Sequence, residues 1–391
     1  MNLSRMFIVT RKELTDGFRD RRAIYTILFS TLFGPLLISF MLSKIAGQQK
    51  AAQEIQVPVV GRELAPVLVN WLEQQSGVEV VQGPADPEAA VRDSKADVVL
   101  VIEKDFAERF RDSRPAPVQV VSDSTRQPAQ PKVKRLMSLL NRFSAETGSL
   151  RLIARGISPP VASALKVEEV EVSSAQQRAA VVLNVIPMFL ILAAFTAGMQ
   201  ISTDSTAGER ERGSLEPLLL NPVARWQLVG GKWLAAAVAA FIGMAGTLVV
   251  LSQVLSRLSL EDLGVRFHLD RPEMLLLIAA VAPMAFVAPA VQMYLACFAK
   301  SFKEAQSYMA FLVAGAVIPG VLSIFYPMGN RPWMQPVPVL GQYAMVNEIL
   351  SGRIPSPLMM IAAAVPALAL ACVFVWLASR LFSSEKIIFG R

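Results

Sequence analysis

Long uncharged runs alternate with short polar segments along this chain. Six of the runs are long enough for a helix to cross a bilayer core of about 30 Å, which needs about 20 apolar residues. They are Ala23–Ser43, Val181–Thr203, Trp233–Leu255, Met274–Ala299, Ala305–Asn330 and Ile354–Ser379. A helix satisfies its own backbone hydrogen bonds, which lipid cannot do for it. The pattern therefore predicts an α-helical membrane protein with six transmembrane helices, the first over residues 23–46.

Residues 47–180 follow a different pattern, that of a soluble domain. Short apolar runs, VPVVG, VEVV, DVVLVI and PVQVVSD, predict strands, and the segments between them predict helices. Asp86 before Pro87 predicts the start of one helix, with the carboxylate as N-cap. A longer helix is predicted after residue 130, with apolar residues at approximately helical spacing: Val133, Leu136, Leu140, Phe143 and Leu150. We therefore expect a small α/β domain between the first two spans.

Composition supports a membrane protein. Of 391 residues, 53% are hydrophobic and 18% charged, whereas soluble domains average about 25% charged. The net charge of +7 does not indicate nucleic acid, because Lys and Arg lie mostly beside the apolar runs. They are concentrated before span one, after spans two and four, and at the C-terminus. The positive-inside rule then places both termini, including a tail over residues 383–391, in the cytoplasm, and residues 47–180 outside the plasma (inner) membrane.

The segment over residues 1–22 has an amphipathic pattern. On a helical wheel one face is apolar, although Ile8 and Val9 interrupt it, and the opposite face is charged. The apolar residues are Leu3, Met6, Phe7, Leu14 and Phe18, and the charged ones are Arg5, Lys12, Asp16, Arg19 and Asp20. This favours an interfacial helix on the cytoplasmic leaflet, in contact with membrane lipid. The plainer alternative is a basic segment that only orients the first span.

Residues that could carry catalysis or bind metal are scarce. Cys297 and Cys372 lie in apolar runs, and His268 is the single histidine. A Cys/His metal cluster is therefore excluded, and the two cysteines are expected to be small packing residues. A membrane-embedded enzyme would need a Ser/His pair, paired aspartates within spans or a metal site. We predict no catalytic residue and no metal ligand.

The segment over residues 204–232 is unusually polar for its position between two spans. Helical spacing would pair Glu209 with Arg212 and Arg212 with Glu216, Ser214 could cap a short helix, and Asn221 before Pro222 would end it. The same segment holds an apolar cluster, Leu215, Leu218, Leu219 and Leu220. Either these leucines pack against their own spans or they bind a cytoplasmic partner.

This segment resembles the loop between spans two and three of type-2 ABC exporter permeases. The matching residues are Glu209, Glu211, Gly213, Ser214, Leu215, Glu216, Leu218, Leu219, Pro222, Arg225, Gly231 and Lys232. RKELTDGFRDRRAI, residues 11–24, resembles the start of the NatB-like branch of that family, the permease of a sodium-extruding system. AKSFKEAQSY, residues 299–308, resembles that branch's loop between spans four and five, and the long outer domain fits it too.

The resemblance implies a transport subunit that is not itself an enzyme. In that family the loop contains the coupling helix, which here would use Glu209–Pro222, with Arg210, Arg212 and Arg225, to contact an ATPase. Leu218 and Leu219 would be its buried anchor, and Lys300, Lys303 and Glu304 would belong to the second cytoplasmic loop. The chain lacks GxxxxGK[ST], so ATP and Mg²⁺ would be bound by a separate cytoplasmic ABC ATPase. Two permeases, identical or different, would form the transporter.

The spans carry no Asp, Glu, Lys or Arg near their middle, where an ion path usually has one. The pathway candidates are neutral: Asn184, Thr196, Gln200, Gln253, Gln292 and Tyr294. The resemblance implies Na⁺ export, whereas this chemistry also suits a peptide, drug or other amphiphile. A non-transporting sensor or assembly factor with the same fold is a further alternative. Residues 332–352, with Trp333 and Tyr343, predict short helices that re-enter the outer interface, the alternative being an ordinary loop.

Overall fold

The computed structural model describes residues 4–126, 129–162, 184–257, 270–325 and 331–383. The predicted tail, apart from Ser383, and residues 163–183, which include the end of the predicted outer domain, lie outside this part of the chain. The described residues divide between two compact units, Met1–Met41 with Ser173–Arg391, and Leu42–Val172. Each unit is described by itself.

Two helices open the chain. Helix α1 is Ser4–Arg19, and α2 is Arg21–Gln53. Between them the Asp20 carboxylate accepts a hydrogen bond from the Arg22 amide at 2.9 Å, which satisfies one of the free donors at the start of α2. Within α2, Arg21–Lys44 is long and apolar enough to cross a membrane.

The unit over Leu42–Val172 is built on a four-stranded sheet. Its elements in order are β1 Ile55–Val60, α3 Pro66–Glu73, β2 Val78–Gln82, α4 Pro87–Arg92, β3 Val98–Ile102, α5 Phe106–Arg111, β4 Val118–Ser122 and α6 Gln130–Ile153. The strand order is β2-β1-β3-β4. Strand β1 is parallel to β2 and β3, and β4 is antiparallel to β3.

The core of this unit lies between the sheet and its helices. Val57, Leu72, Leu100 and Leu136 are almost fully buried there. The predicted α/β fold is confirmed, and so is the N-cap, since the Asp86 Oδ1 accepts from the Ala89 amide at 3.0 Å. Leu150 differs from expectation, with 67% of its surface exposed, because the buried contacts of α6 come from its earlier turns.

The remaining described chain is helical. Its helices are α7 Ile186–Glu211, α8 Leu215–Leu219, α9 Arg225–Arg257, α10 Arg271–Ala296, α11 Phe302–Phe325, α12 Leu340–Leu350 and α13 Pro357–Leu381. Together with Arg21–Lys44, five of these (α7, α9, α10, α11 and α13) bring the described residues to six helices able to span a membrane. The predicted six-span architecture is confirmed.

The boundaries around the polar segment 204–232 differ from the prediction. Helix α7 continues through a π-helical turn, Asp204–Gly208, to Glu211, and α9 begins at Arg225 rather than Trp233. The hydroxyl groups along this extension of α7 are buried and hydrogen-bonded within the helix. The Thr203 and Thr206 hydroxyls, for example, donate to backbone carbonyls one turn back. Such residues look like a loop by hydropathy, yet they lie on a packed helix. The connecting segment is only residues 212–224.

Residues 332–352 form the predicted short helices, a 3₁₀ turn Pro332–Met334 and α12. Val339, just before α12, has a left-handed φ of 74°, a conformation that costs energy in a β-branched residue. The Gln342 side chain holds it, accepting from the Val339 amide at 2.8 Å and donating to the Ala363 carbonyl at 3.0 Å. The depth of these helices in the membrane stays a prediction.

Candidate functional site

Helix α1 packs closely against α7 and α9 through glycines. A Cβ added to Gly231 of α9 would lie 2.6 Å from the Val9 Cβ, and one added to Gly17 of α1 would lie 2.8 Å from the Ile201 Cδ1. Real Cβ atoms do not approach so closely, so α1 approaches α9 this closely because position 231 is glycine. At Gly17 the nearest atom is the end of the flexible Ile201 side chain, which can move aside.

The two faces of α1 differ in burial. Thr10 and Glu13 are buried, whereas Phe7 and Phe18, predicted on the apolar face of an interfacial helix, are 60% and 44% exposed. Val9, expected to interrupt the apolar face, packs against the protein. The side of α1 that faces α7 and α9, which the sequence did not predict, combines small residues for close approach with Glu13, which reaches a lysine.

That lysine is Lys232, whose side chain has no exposed surface. Its Nζ lies 3.0 Å from the Glu13 Oε1 and 2.7 Å from the Glu209 Oε1. Lys12 adds a second cation, with its Nζ 3.1 Å from Glu13 and 3.6 Å from Glu209. We call these four residues the ion-pair cluster. It balances two positive against two negative charges, which buried ions require because each pays several kcal/mol on leaving water.

Two details qualify this balance. Partial burial lowers the pKa of Lys12, but the carboxylates of Glu13, Glu209 and Asp16 together outweigh that effect, so the pKa is raised overall and Lys12 stays positive. The Glu209 Oε2 has no hydrogen-bond partner among the described groups. One carboxylate oxygen of the cluster is therefore buried without a hydrogen bond, although the charge of that carboxylate is paired with Lys232.

The next two residues of α7 join the polar segment to the second loop. The Arg210 guanidinium donates to the carbonyls of Cys297 and Ala299, at 2.7 and 2.8 Å, at the end of α10. The Glu211 carboxylate accepts from the Phe302 amide, at 2.7 Å, at the start of α11. A cation at a helix C-terminus and an anion at an N-terminus both complement the helix dipole. The two loops therefore form one continuous surface.

The predicted pair of Glu209 with Arg212 is wrong. Because α7 ends at Glu211, Arg212 folds back and donates to both oxygens of Asp204, at 2.7 and 3.1 Å, while Glu209 binds Lys232. This bidentate hydrogen bonding raises the pKa of Arg212. Gly213 follows with a φ of 67°, which permits the sharp turn. The side chain of Glu216, the other predicted partner, lies outside the described part.

The leucine cluster divides between the two alternatives. Leu215 is buried in a core with Leu228, Met293 and Phe382, and Leu218 is half-buried against the same core. Both contact their own spans. Leu218 is only partly covered there, so its role as an anchor for a partner stays a prediction. Leu220 is 87% exposed. The side chain of Leu219 is not among those described.

The other predicted contact residues lie around this surface. Ser214 precedes α8, but its hydroxyl donates to the Glu209 carbonyl at 3.2 Å instead of capping α8. The Pro222 carbonyl accepts from Arg5 of α1 at 2.6 Å, and Arg225 begins α9. Lys300 and Lys303 are exposed. Glu304 accepts from the Lys300 amide at 2.7 Å, which closes the start of α11.

The structure does not gather the predicted pathway residues into one site. The Thr196 hydroxyl donates to the Leu192 carbonyl within α7 at 2.8 Å, and Gln253 is exposed. The Tyr294 ring packs edge-on against Phe298 and at a tilt against Phe374. Gln200 and Gln292 are buried. The Gln292 amide donates to the Phe195 carbonyl at 2.5 Å, while its Oε1 has no partner among the described groups.

Asn184 belongs instead to a second cluster, at the start of α7. Its amide donates to the Ser323 carbonyl at 3.0 Å, and the buried Tyr343 hydroxyl donates to the Asn184 carbonyl at 2.8 Å and contacts the Ser323 hydroxyl. These three residues, which we call the tyrosine cluster, join α7, α11 and α12 without any charge.

Sequence reasoning noticed Lys232 only as a motif residue and missed Glu13 as its partner. A signal was present: Met6, Thr10, Glu13 and Gly17 recur at helical spacing, and Gly230-Gly231-Lys232 combines a close-approach pair with a charge. Ser323 and Tyr343 carried no such signal, since hydroxyls within apolar runs are common.

Two comparisons with known proteins agree with these features. The family model described as ABC-2 family transporter protein matches residues 25–380. The chain is also similar to the ABC transporter permease protein NatB of Bacillus subtilis (strain 168), with 29% identity over 387 residues, covering 97% of this chain and 98% of the relative. The match extends through both loops and all six membrane helices, as the motif in 204–232 led us to expect.

Proposed function

Because the chain belongs to the ABC-2 family of transporter proteins and is a permease subunit, we propose that it exports its substrate under the drive of a separate cytoplasmic ATPase. The sequence lacks the phosphate-binding loop of such ATPases, so ATP and Mg²⁺ would be bound by the partner chain. Two permease chains would form the membrane part of the transporter.

The observation that carries the proposal is the joined surface of the two loops. Arg210 and Glu211 join the end of α7, where residues 212–224 begin, to the end of α10 and the start of α11. The exposed residues of the two loops include Arg212, Leu220, Lys300 and Lys303. We call the surface of the two loops the docking surface. An exposed leucine leaves apolar surface in contact with water, and a bound partner would remove that surface from water. Leu215 and Leu218 would shape the surface from beneath, and Leu220 would be covered by the ATPase.

We propose that both termini and the docking surface lie in the cytoplasm, because Lys and Arg are concentrated in these segments. The exposed face of α1 indicates a contact with lipid. Phe7, Ile8 and Phe18 are exposed, with Arg11 between them on the same side. A helix that buries a polar face and exposes an apolar, basic one is suited to the membrane interface. Membrane lipid would therefore contact this face of α1, in the plasma membrane.

The substrate is proposed from the similarity to NatB, which favours Na⁺. Buried neutral oxygens such as the unpartnered Gln292 Oε1 could contribute to transient cation coordination. An amphiphile is the second candidate, favoured by the absence of any ionisable residue near the middle of the predicted spans.

Leu220→Asp tests the docking surface, with Leu215→Asp as its control. Leu220 is exposed and makes few packing contacts within its own chain, so the Leu220→Asp variant should fold and reach the membrane at normal abundance. It should nevertheless recover less than one tenth of the ATPase on copurification. Leu215→Asp buries a charge in the core and should lower membrane abundance first. Normal ATPase recovery by Leu220→Asp would refute the docking surface.

Transport is tested in proteoliposomes that contain the permease and its ATPase. ATP-dependent movement of ²²Na⁺ that vanishes with Leu220→Asp would support sodium export. Full ATPase recruitment with no ²²Na⁺ movement would leave an amphiphile as the substrate, to be tested with fluorescent amphiphiles. ATPase recruitment without stimulated transport of either class would favour the sensor or assembly-factor alternative.

A further inference from the structure

The ion-pair cluster lies where three separate chain segments meet. Glu13 comes from α1, Glu209 from the end of α7 and Lys232 from the first turns of α9. Residues 212–224, which carry part of the docking surface, connect the last two of these helices directly. A movement of residues 212–224 would therefore displace Glu209 through the end of α7 and Lys232 through the start of α9.

Helix α1 makes polar contacts to its neighbours at its first turns and at its later turns. At its first turns the Arg5 side chain donates to the Pro222 carbonyl. Along its later turns, the polar contact to α7 and α9 is made by Glu13, with Lys12 beside it. The tight contacts at Gly17 and Gly231 lie on either side of Glu13. Such glycine contacts resist compression, whereas the ion pairs resist separation.

We infer that Glu13, Lys232 and Glu209 are positioning residues that transmit ATPase docking from the loop to α1 and, through Asp20, to the first span. The inference rests on the proposed function. A buried ion pair suits this task, because separating its partners exposes uncompensated charge and so costs far more than sliding an apolar contact. The unpartnered Glu209 Oε2 leaves that carboxylate free to gain a partner when the helices shift.

The test is hydrogen–deuterium exchange of the full-length permease in nanodiscs, with and without its ATPase. In the wild type, ATPase binding should slow exchange both in residues 212–224 and in residues 10–19 of α1. With Glu13→Gln, protection of residues 212–224 should stay within about twofold, whereas the binding-dependent protection of residues 10–19 should fall at least about fivefold, the lower end of ordinary coupling between sites. A purely structural role for Glu13 would change exchange of α1 equally with and without ATPase.

Glu209→Gln removes the charge from the α7 side of the cluster, and the same exchange measurement is expected to give the same result. The test therefore does not depend on the folding of a single variant. Asp16→Asn is the control, because Asp16 is exposed and, within the described part of the chain, forms an ion pair with Lys12 alone, at 3.2 Å. This variant should keep the wild-type response. Unchanged protection of residues 10–19 in both cluster variants would overturn the inference. It would also be overturned if, in the wild type, ATPase binding slowed exchange in residues 212–224 but not in residues 10–19. A wild-type loop that gains no protection would refute the docking surface itself, and the inference with it.

Discussion

The two ends of helix α7 are stabilised by opposite chemistry. At its last turn Glu209 joins the ion-pair cluster, in which charges are buried and glycines allow close contact. About 37 Å away, at 1.5 Å per residue, Asn184 joins the tyrosine cluster, in which every group is neutral. Both clusters join three chain segments.

The difference suggests a division of labour under the proposed transport cycle. A charged contact that costs several kcal/mol to separate favours segments that move together. Neutral hydrogen bonds between membrane helices contribute about 0.6 kcal/mol on average, so they break and re-form easily. We therefore expect the ion-pair end to move as one body and the tyrosine end to open and close.

Replacing the buried lysine is the most direct test of the difference between the two ends of α7. Lys232→Met would leave Glu13 and Glu209 facing each other without their main cation, which should lower the free energy of unfolding by about 3–5 kcal/mol. The measurement is an SDS titration of the purified permease in mixed micelles. Lys303→Met is the matched control on an exposed lysine and should change stability by no more than about 0.5 kcal/mol. Equal stability of the two variants would contradict the importance of the cluster.

A smaller effect is expected from crowding the contact between α1 and α9. Gly231→Ala would place a methyl 2.6 Å from the Val9 Cβ, and such overpacking costs about 1–3 kcal/mol. The same titration measures it. Gly315→Ala offers a comparison within a helix, since no described atom lies within 4 Å of its added Cβ, and it should be neutral or stabilising by up to about 1 kcal/mol. A stabilising Gly231→Ala would show that α1 is not held so closely.

The smallest effect should come from the tyrosine cluster. Tyr343→Phe removes the hydroxyl that bonds Asn184 and Ser323, and the loss should be about 0.6–1.7 kcal/mol. Tyr294→Phe should cost less, because the Tyr294 ring contacts Phe298 and Phe374 and its hydroxyl makes no hydrogen bond to the described residues. A Tyr343→Phe loss as large as that of Lys232→Met would erase the proposed difference between the two ends.

The features that could be predicted from the sequence are those that depend on residues close together along the chain. Twenty-residue apolar runs identified the spans, and Asp86 with Pro87 identified a helix start, because both signals are local. The ion-pair cluster could not be found in this way, since Glu13 and Lys232 are 219 positions apart and each alone resembles an ordinary charge beside a span. Leu215 and Leu220 were also inseparable by sequence, because only the packing of α10 and α13 decides which leucine is covered.

The π-helical turn Asp204–Gly208 sets which way the end of α7 points. Such a turn contains one residue more than the α-helical ladder requires, and each residue of an α-helix advances the side-chain direction by about 100°. Deleting one residue here would restore the regular ladder but rotate Glu209, Arg210 and Glu211 together by about that angle. Glu209 would then turn away from Lys232, and Arg210 away from the end of α10. The single extra residue therefore rotates the end of α7 relative to its membrane part. The membrane part and its extension can then each face their own set of partners.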